Sequence, residues 1–496
     1  MSQKAGMKKK KNNKQEQKEI SLKKNKFFTP STEINSAKDQ AEDRYEVFER
    51  EDKSLINWLV DNPKEVIKER QNFLQQLQKK RCTYGYGGAA LPITLSPVFL
   101  KKETIKLIAH VGEVLDRVLD KVIKAFRNDS YVRSYLLYPD VPVAWLDWDP
   151  GYEKPTVLSR HDALFNGKDL KFIEFNCDNP GARGWTDTYE ALYKESPLYK
   201  DFINEFAVNH ERRMLKLLKK CLLDCYKEYG GTKSKPRIAL VSFKEFLPNS
   251  DNEIIRDYLI EHGLEANFMD ARDLEYKNKG LYSNNVQMDI INLTLRFTFF
   301  KRFPREMKDF MQGAKNRGAC FINPLKAIIG SQKEMLSFIT NEANFSYFTR
   351  DEQQIIKKHL PWTRKLDETV TISIEGQDIS LKEYVLKNRE RLVLKPTAEA
   401  GGTGVYVGKT TEKGEWEHII ENTMGCQWWI IQEAVDIPQF EFPVLKNNKI
   451  VMEKKYLNLN PYIYKGDYAG CLGRVSDCNV INVSSGGGLV PIFELK

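Results

Sequence analysis

A short polar stripe inside an apolar hairpin is the feature that most restricts the fold of this chain. The segment VLSRHDALFNGKDLKFIEFN, residues 157–176, alternates as a strand, reaches the turn dipeptide Asn-Gly, and alternates again. Alternate residues of a strand share a face, so four polar side chains are expected to converge on one side of the hairpin. The members of this polar stripe are Arg160, Asp162, Glu174 and Asn176.

The chemistry of the polar stripe suits a metal ion and a phosphate. Two carboxylates and an amide oxygen, completed by phosphate oxygens and water, form the octahedral oxygen site that Mg²⁺ requires. We therefore predict that Asp162, Glu174 and Asn176 bind magnesium, and that Arg160 is catalytic, stabilising a phosphoryl group during transfer. A solvent-facing polar face is the alternative. The phenylalanines around the stripe favour the metal site, because unpaired carboxylates are costly in buried surroundings.

A second group of residues, nearer the C-terminus, suits a nucleotide. RLVLKP reads as a strand ending at Lys395, and a glycine-rich loop separates it from the strand VYVG. Glycine amides can close over phosphates because no Cβ blocks the approach, and the lysine adds positive charge. We predict ATP binding by Lys395, Gly401, Gly402 and Gly404. A plain β-hairpin is the alternative, whereas a Walker A loop is excluded because Thr403 stands where that motif needs glycine.

Two further segments carry weaker signals. The buried strand WWIIQEAVD runs into Gln432 and Glu433, where the chain is predicted to contact the adenine of the nucleotide. Near the C-terminus, Arg474, Asn482 and Ser485 are candidates for holding substrate or closing the phosphate site. A tight structural turn explains the glycine run that follows Ser485 equally well.

The order and spacing of these motifs resemble the circularly permuted ATP-grasp family, of which glutathionylspermidine synthetase is a member. That family carries Arg-x-Asp followed, twelve residues after the Asp, by Glu-x-Asn, and the polar stripe repeats the pattern. The resemblance implies that Asp162, Glu174 and Asn176 ligate Mg²⁺ and that Arg160 acts at the transferring phosphoryl group. The segments NCDNPGARG, HLPWTRKL, NPYIYKGDYAGCLGRVS and INVSSGGGLVP also resemble family members, so the similarity covers most of residues 80–496.

The resemblance implies an activity and one more nucleotide contact. The metal ligands precede the nucleotide lysine here, the reverse of ordinary ATP-grasp enzymes, which implies circular permutation. A basic residue ahead of the KP strand binds nucleotide in the family, and Arg364 and Lys365 are the candidates. The implied reaction is ATP-dependent ligation of a carboxylate to an amine through an acyl phosphate, releasing ADP and phosphate, with ATP and Mg²⁺ as cofactors. The alternatives are an ATP-dependent kinase and a binding protein with a degenerate ATP-grasp site.

The pattern of elements predicts an α/β (α+β) fold, a circularly permuted ATP-grasp with a helical N-terminal part and a small pre-ATP-grasp α/β domain. RIALVSF and VQMDIINLTLR read as strands on either side of the helix NEIIRDYLIEHG, which predicts a small parallel sheet. The predicted division is a disordered Lys-rich tail over 1–41, a helical region with the metal-ligand hairpin over 42–235, the pre-ATP-grasp domain over 236–330, and the nucleotide-binding lobe over 331–496.

Charge and cysteine usage restrict the partners. The net charge is +9, but residues 1–26 hold ten lysines and two glutamates, so the remainder carries about +1. A near-neutral body argues against nucleic-acid binding. No long apolar run predicts a membrane span, no signal peptide is recognised, and the eight cysteines show no CxxC spacing, so we expect a cytoplasmic protein. The sequence does not identify the carboxylate or the amine, nor whether either is tethered to a peptide or carrier. The oligomeric state also stays open.

Overall fold

The computed structural model describes most of the chain from residue 50 onward. The described ranges are 50–84, 88–136, 143–166, 168–208, 213–246, 249–294, 303, 305–374, 377–397, 404–426, 428–437, 439–478, 481 and 487–496. The predicted Lys-rich tail over residues 1–41 lies outside them. Within these ranges, none of the helices combines the length and the apolarity that crossing a bilayer requires.

The first part of the chain is helical because apolar side chains recur at helical spacing, as predicted. Its elements are α1 (Arg50–Asp61), α2 (Pro63–Lys79), β1 (Thr83–Tyr84), β2 (Ala89–Ala90), β3 (Val98–Leu100), α3 (Lys102–Asn128), α4 (Ser130–Tyr135) and α5 (Val143–Leu146). Pro63 opens α2, where its missing N–H costs nothing. Helix α3 buries a long apolar stripe from Ile105 to Phe126 and forms part of a large hydrophobic core.

The predicted hairpin is present, and three helices follow it. These elements are β4 (Leu158–Phe165), β5 (Leu170–Asn176), α6 (Arg183–Glu195), α7 (Lys200–Phe206) and α8 (Arg213–Glu228). The antiparallel register places Arg160 opposite Asn176 and Asp162 opposite Glu174. A β-bulge follows Asp162. The cross-strand register therefore shifts by one residue after the polar stripe, and the pairs within the stripe are not affected.

The back of this hairpin rests on a buried ionic cluster. Lys154 forms ion pairs with Asp116 and Asp120 of α3, and Ser159 Oγ donates to Asp116 Oδ1 at 3.0 Å. Moving β4 away from α3 would leave these buried carboxylates without partners, which is costly. The cluster therefore holds β4 against α3. Ser159 alternates with the residues of the polar stripe, so the stripe is held on the opposite face.

The next region contains the predicted parallel sheet. Its elements are β6 (Arg237–Ser242), α9 (Ser250–Glu261), β7 (Glu265–Asp270), β8 (Glu275–Lys277), β9 (Gly280–Ser283), β10 (Val286–Met288), β11 (Ile290–Leu293), α10 (Lys308–Lys315) and β12 (Cys320–Ile322). The strand order is β12-β11-β6-β7, all parallel. The predicted single strand VQMDIINLTLR is divided at Asp289, whose carboxylate accepts from Arg237 N and Lys233 Nζ. Strand β10 instead pairs antiparallel with β9.

A third group of elements forms a separate antiparallel sheet covered by helices. These elements are α11 (Glu334–Ile339), α12 (Arg350–His359), β13 (Thr363–Lys365), β14 (Thr371–Ile374), β15 (Gln377–Ser380), α13 (Leu381–Lys387), β16 (Leu392–Pro396), β17 (Tyr406–Val407), α14 (Lys413–Thr423) and β18 (Trp429–Glu433). The sheet order is β13-β18-β16-β17. Leu394, Ile431 and the fully buried Trp416 share one core, so this sheet has its own packed interior.

The last strands return to the hairpin. They are β19 (Gln439–Lys446), β20 (Lys449–Tyr464), β21 (Asp467–Ser476), β22 (Gly488–Val490) and β23 (Ile492–Glu494). One sheet runs in the order β22-β21-β20-β4-β5, with β19 also paired to β20. The predicted boundary at residue 330 therefore falls between strands that share a sheet, and the division into domains stays a prediction. Strand β21 lies two strands from β4, which brings Arg474 to the polar stripe.

Candidate active site

Asp162 is bound by two guanidinium groups. Arg160 Nε donates to Asp162 Oδ1 at 3.1 Å, and Arg474 Nη2 donates to Asp162 Oδ2 at 2.6 Å. All three side chains are largely buried. Burial alone would raise the pKa of Asp162, but the charges of Arg474 and Arg160 outweigh it and lower that pKa to about 2. Asp162 is therefore a carboxylate at physiological pH.

The partner strand contributes the other two predicted metal ligands. Asn176 Nδ2 lies 3.2 Å from Asp162 Oδ1, and Glu174 Oε1 lies 3.2 Å from Lys333 Nζ. A half-turn of the Asn176 amide would present its oxygen instead of its nitrogen. Two carboxylates and an amide oxygen on facing strands match the donor set of Mg²⁺, so these residues fit the predicted ion. Their assignment as metal ligands stays a prediction.

Clusters made of histidine, cysteine and carboxylate side chains are a second kind of metal site. In the part of the chain that the structure describes, no three His, Cys, Asp or Glu side chains are grouped in a way that could hold a metal ion. The predicted magnesium site is of a different kind, because it combines only two carboxylates with an amide.

Two lysines reach the same region from the nucleotide side. Lys333 precedes α11 and pairs with Glu174, while Lys395 near the end of β16 donates to Gln432 Oε1 at 2.6 Å. Burial lowers the pKa of Lys395 to about 8, and the charge of Glu174 offsets part of that effect. The electrostatic influence of Glu174 and Asp162 on Lys395 indicates that the predicted nucleotide lysine and the predicted metal ligands lie close together.

Lys333 is the residue that sequence reasoning missed. Its segment, SQKEMLSFIT, reads only as a helix, and the apolar pattern gives the lysine no special position. One signal was available, because a lysine at the start of a helix faces the positive end of the helix dipole and is unfavourable there. Lys333 occupies that position and is only 6% exposed, so its pairing with Glu174 compensates an otherwise poor location.

Glu334 is a second buried carboxyl group beside this site. Its side chain is 2% exposed, and Oε2 has no hydrogen-bond partner within the described residues. Burial raises the pKa of Glu334 from 4.5 to about 7, although the charge of Lys365 and a hydrogen bond with Thr397 oppose that rise. Glu334 therefore changes protonation near neutral pH.

We expect Glu334→Gln to stabilise the protein at pH 8 but to have little effect at pH 5. A raised carboxyl pKa favours the protonated folded form, so its contribution to stability is lost as pH rises from 4.5 to about 7. The loss is at most about 3 kcal/mol, and the uncharged glutamine avoids it. Thermal unfolding of both proteins at the two pH values measures the difference. Glu383→Gln, at an exposed position on α13, is the matched control, and equal shifts at both pH values would contradict the prediction.

The two candidates for the basic nucleotide contact, Arg364 and Lys365, have different surroundings. Arg364 is buried and donates to the carbonyl oxygens of Thr340 at 3.3 Å and Thr363 at 2.8 Å, and burial lowers its pKa to about 10. Lys365 Nζ donates to the carbonyl oxygen of Tyr135 at 3.0 Å, and its charge acts on Glu334. The charge of Lys365 therefore reaches the neighbourhood of Lys333.

The predicted adenine contacts lie within a sheet. Gln432 pairs with both Thr363 and Val393 across the two neighbouring strands, and its side chain binds Lys395. Glu433 N donates to the carbonyl oxygen of Trp362 at 2.8 Å. The backbone N–H of Glu433 and the side chain of Gln432 are thus already bonded within the protein. Contact of these residues with adenine stays a prediction.

The predicted glycine loop is described only in part. Gly404 has φ +70°, a left-handed conformation that favours glycine, and a Cβ there would lie 3.2 Å from Pro396 Cγ. Gly401 and Gly402 lie outside the described residues, as do the substrate candidates Asn482 and Ser485. Arg474 is described, and it binds Asp162 directly.

Comparisons with known proteins bear on the fold. No family model and no curated protein sequence matches the chain. Among solved structures, a glutathione synthetase-like effector from Globodera pallida, in its apo form, aligns with a TM-score of 0.55 and 12% identity over 87% of this chain and 98% of that chain.

Two other alignments are weaker. A protein assigned as a gamma-glutamylcysteine synthetase, from Methylobacillus flagellatus, gives a TM-score of 0.39 and 12% identity over 77% of this chain and 88% of its own. D-alanyl-alanine synthetase A from Vibrio cholerae gives a TM-score of 0.24 and 16% identity over 46% of this chain and 68% of its own. These low TM-scores support no inference about this chain. The first alignment concerns the fold alone: the chain has a mixed α/β fold, as predicted, and it shares that fold with the glutathione synthetase-like effector.

Proposed function

We propose that this protein is an ATP-dependent carboxylate–amine ligase of the circularly permuted ATP-grasp kind. The observation that carries the proposal is the convergence of Asp162, Glu174, Lys333, Lys395 and Arg474 on one largely buried site. These residues come from distant parts of the chain, so no local structural need explains why their charges meet. Buried clusters of opposite charge are costly to assemble and are therefore candidates for function.

Each group of residues has a distinct role in the proposed reaction. Asp162, Glu174 and Asn176 would hold Mg²⁺, which when bound neutralises charge on the phosphates of ATP. Lys395 and Lys333 would bind phosphate oxygens as point charges. Arg160 would stabilise the negative charge on the phosphoryl group during its transfer. Catalysis then consists mainly of positioning and charge compensation.

The proposed chemistry has two steps. A substrate carboxylate oxygen attacks the γ-phosphorus of ATP, and ADP leaves, giving an acyl phosphate. The amine nitrogen then attacks the acyl carbon, and phosphate leaves as the amide bond forms. The burial of the Asp162 and Lys395 side chains supports this scheme, because a site that excludes water protects an acyl phosphate from hydrolysis. An amide or peptide bond is the product.

A paired substrate screen tests the proposal. Amino acids, polyamines and small peptides are supplied in pairs with Mg-ATP, ADP release is recorded, and products are identified by mass spectrometry. We expect ADP to form at a high rate only when a carboxylate and an amine are both present. Hydroxylamine supplied in place of the amine should trap the acyl phosphate as a hydroxamate.

The alternatives give different results in the same screen. A kinase would form ADP without any amine and leave a stable phosphorylated product. A degenerate binding protein would release no ADP with any pair. Lys395→Met is the inactive control, which separates ADP formed by this site from ADP formed by a contaminating ATPase.

A further inference from the structure

The candidate active site carries more positive than negative charge. Four basic side chains surround two carboxylates, Asp162 and Glu174, and the neighbouring pair Lys365 and Glu334 adds one group of each sign. The basic side chains are Arg160, Lys333, Lys395 and Arg474. Like charges repel strongly where little water screens them. A divalent cation that enters the site without a nucleotide is therefore opposed by the net positive charge of these side chains.

The oxygens that would ligate the metal are also engaged. Asp162 Oδ2 accepts from Arg474 at 2.6 Å, and Asp162 Oδ1 accepts from Arg160 at 3.1 Å and from Asn176 at 3.2 Å. Glu174 Oε1 lies 3.2 Å from Lys333 Nζ. A metal ion bonds to the same lone pairs, so it competes with the hydrogen bonds from these cations.

Arg474 and Lys333 are better placed to move away than Arg160. Arg160 lies on the same strand as Asp162, and its Nη1 also donates to the carbonyl oxygen of Gly181 at 3.4 Å. Arg474 reaches Asp162 from β21 and also donates from Nε to Asn458 Oδ1 at 3.3 Å, and Lys333 reaches Glu174 from the start of a short helix. Both side chains are long and have several rotatable bonds, so a change of rotamer would take their charges to another acceptor without moving β4 or β5.

We infer that Arg474 and Lys333 make metal binding depend on the nucleotide. When ATP enters, Arg474 leaves Asp162 and Lys333 leaves Glu174, and both cations bind phosphate oxygens instead. This inference rests on the proposed function. A triphosphate offers both cations a stronger acceptor, and the carboxylates they release become free to bind the metal. Metal and nucleotide therefore bind with positive coupling, and each raises the affinity for the other by the same factor.

The measurement is a titration with Mn²⁺ as a paramagnetic probe, followed by electron paramagnetic resonance. It is done with and without a non-hydrolysable ATP analogue, and metal bound to the analogue in solution is subtracted with a protein-free control. For the unmodified protein we expect the analogue to raise Mn²⁺ affinity by about tenfold or more. Equal affinity with and without the analogue would overturn the inference, and this arm needs no variant.

The variants assign the effect to the two cations. Arg474→Gln and Lys333→Gln should each bind Mn²⁺ alone about tenfold more tightly than the unmodified protein, with a matching fall in the coupling factor. Arg474→Lys, which keeps the charge, should behave like the unmodified protein, as should Arg237→Gln at a remote surface site. Adding Asp162→Asn to Arg474→Gln should abolish the gain in Mn²⁺ affinity.

The outcomes separate this inference from the proposed function. If both glutamine variants unfold at the normal temperature yet bind Mn²⁺ alone no more tightly, the cations do not control the metal site and the inference is wrong. If the analogue binds neither with nor without Mn²⁺, the ATP-dependent function is wrong. In that event the titrations with Mn²⁺ alone still decide whether Arg474 and Lys333 compete with the metal.

Discussion

Lys395→Met is expected to lower ATP-dependent turnover by at least about 100-fold while leaving the protein folded and no less stable. Lys395 is buried, and its lowered pKa, about 8, shows that the fold disfavours its charge. Replacing a buried charge with an apolar side chain of similar length removes that cost but also removes the hydrogen bond to the buried Gln432 Oε1, so these two effects on stability offset each other. The phosphates lose a cation, so turnover falls while stability is retained. A purely structural role for Lys395 would instead make activity and stability fall together.

The test combines ADP formation, calorimetric binding of an ATP analogue, and thermal unfolding. Lys395→Arg retains a charge and should keep part of the nucleotide affinity, and Lys446→Met, at an exposed lysine that ends β19, controls for the loss of a surface lysine. A correctly folded Lys395→Met protein that forms ADP at nearly the normal rate would remove Lys395 from the site.

Asp162→Asn is expected to have a comparably large effect on turnover, at least about 100-fold, and to destabilise the fold as well. Asp162 lies between Arg160 and Arg474, so the substitution leaves two largely buried guanidiniums without their carboxylate. Breaking a buried ion pair by removing one partner costs about 3–5 kcal/mol. ADP formation and thermal unfolding measure the two effects.

A double substitution separates charge balance from catalysis. Asp162→Asn combined with Arg474→Gln removes one unpaired cation, so part of the lost thermal stability should return while turnover stays low. Asp477→Asn, at an exposed carboxylate that pairs with Lys455, is the matched control and should change neither property. Full activity in the single variant would show that Asp162 does not take part in the reaction.

The sequence alone was sufficient for the hairpin and its polar stripe. Strand alternation and the twelve-residue spacing predict that the four polar side chains share one face of the hairpin, and the observed register places Asp162 opposite Glu174 on that face. The helices at the start of the chain and the parallel sheet of the middle region were predicted in the same way. The helices and the individual strands can be predicted because the spacing of apolar residues along each element reflects its local backbone geometry.

Only the tertiary structure decided which distant residues complete the site. Arg474 reaches Asp162 across more than three hundred residues of chain, and Lys333 reaches Glu174 from the start of a helix whose pattern reveals nothing but packing. The order β22-β21-β20-β4-β5, which joins the last strands to the hairpin, is equally invisible to local periodicity. Hydrophobic alternation specifies which face of a strand is buried, but it does not specify the neighbouring strand, because many partners bury an apolar face equally well. The sequence therefore predicted that Arg160, Asp162, Glu174 and Asn176 share one strand face, whereas the contacts of Arg474 with Asp162 and of Lys333 with Glu174 became visible only in the folded chain.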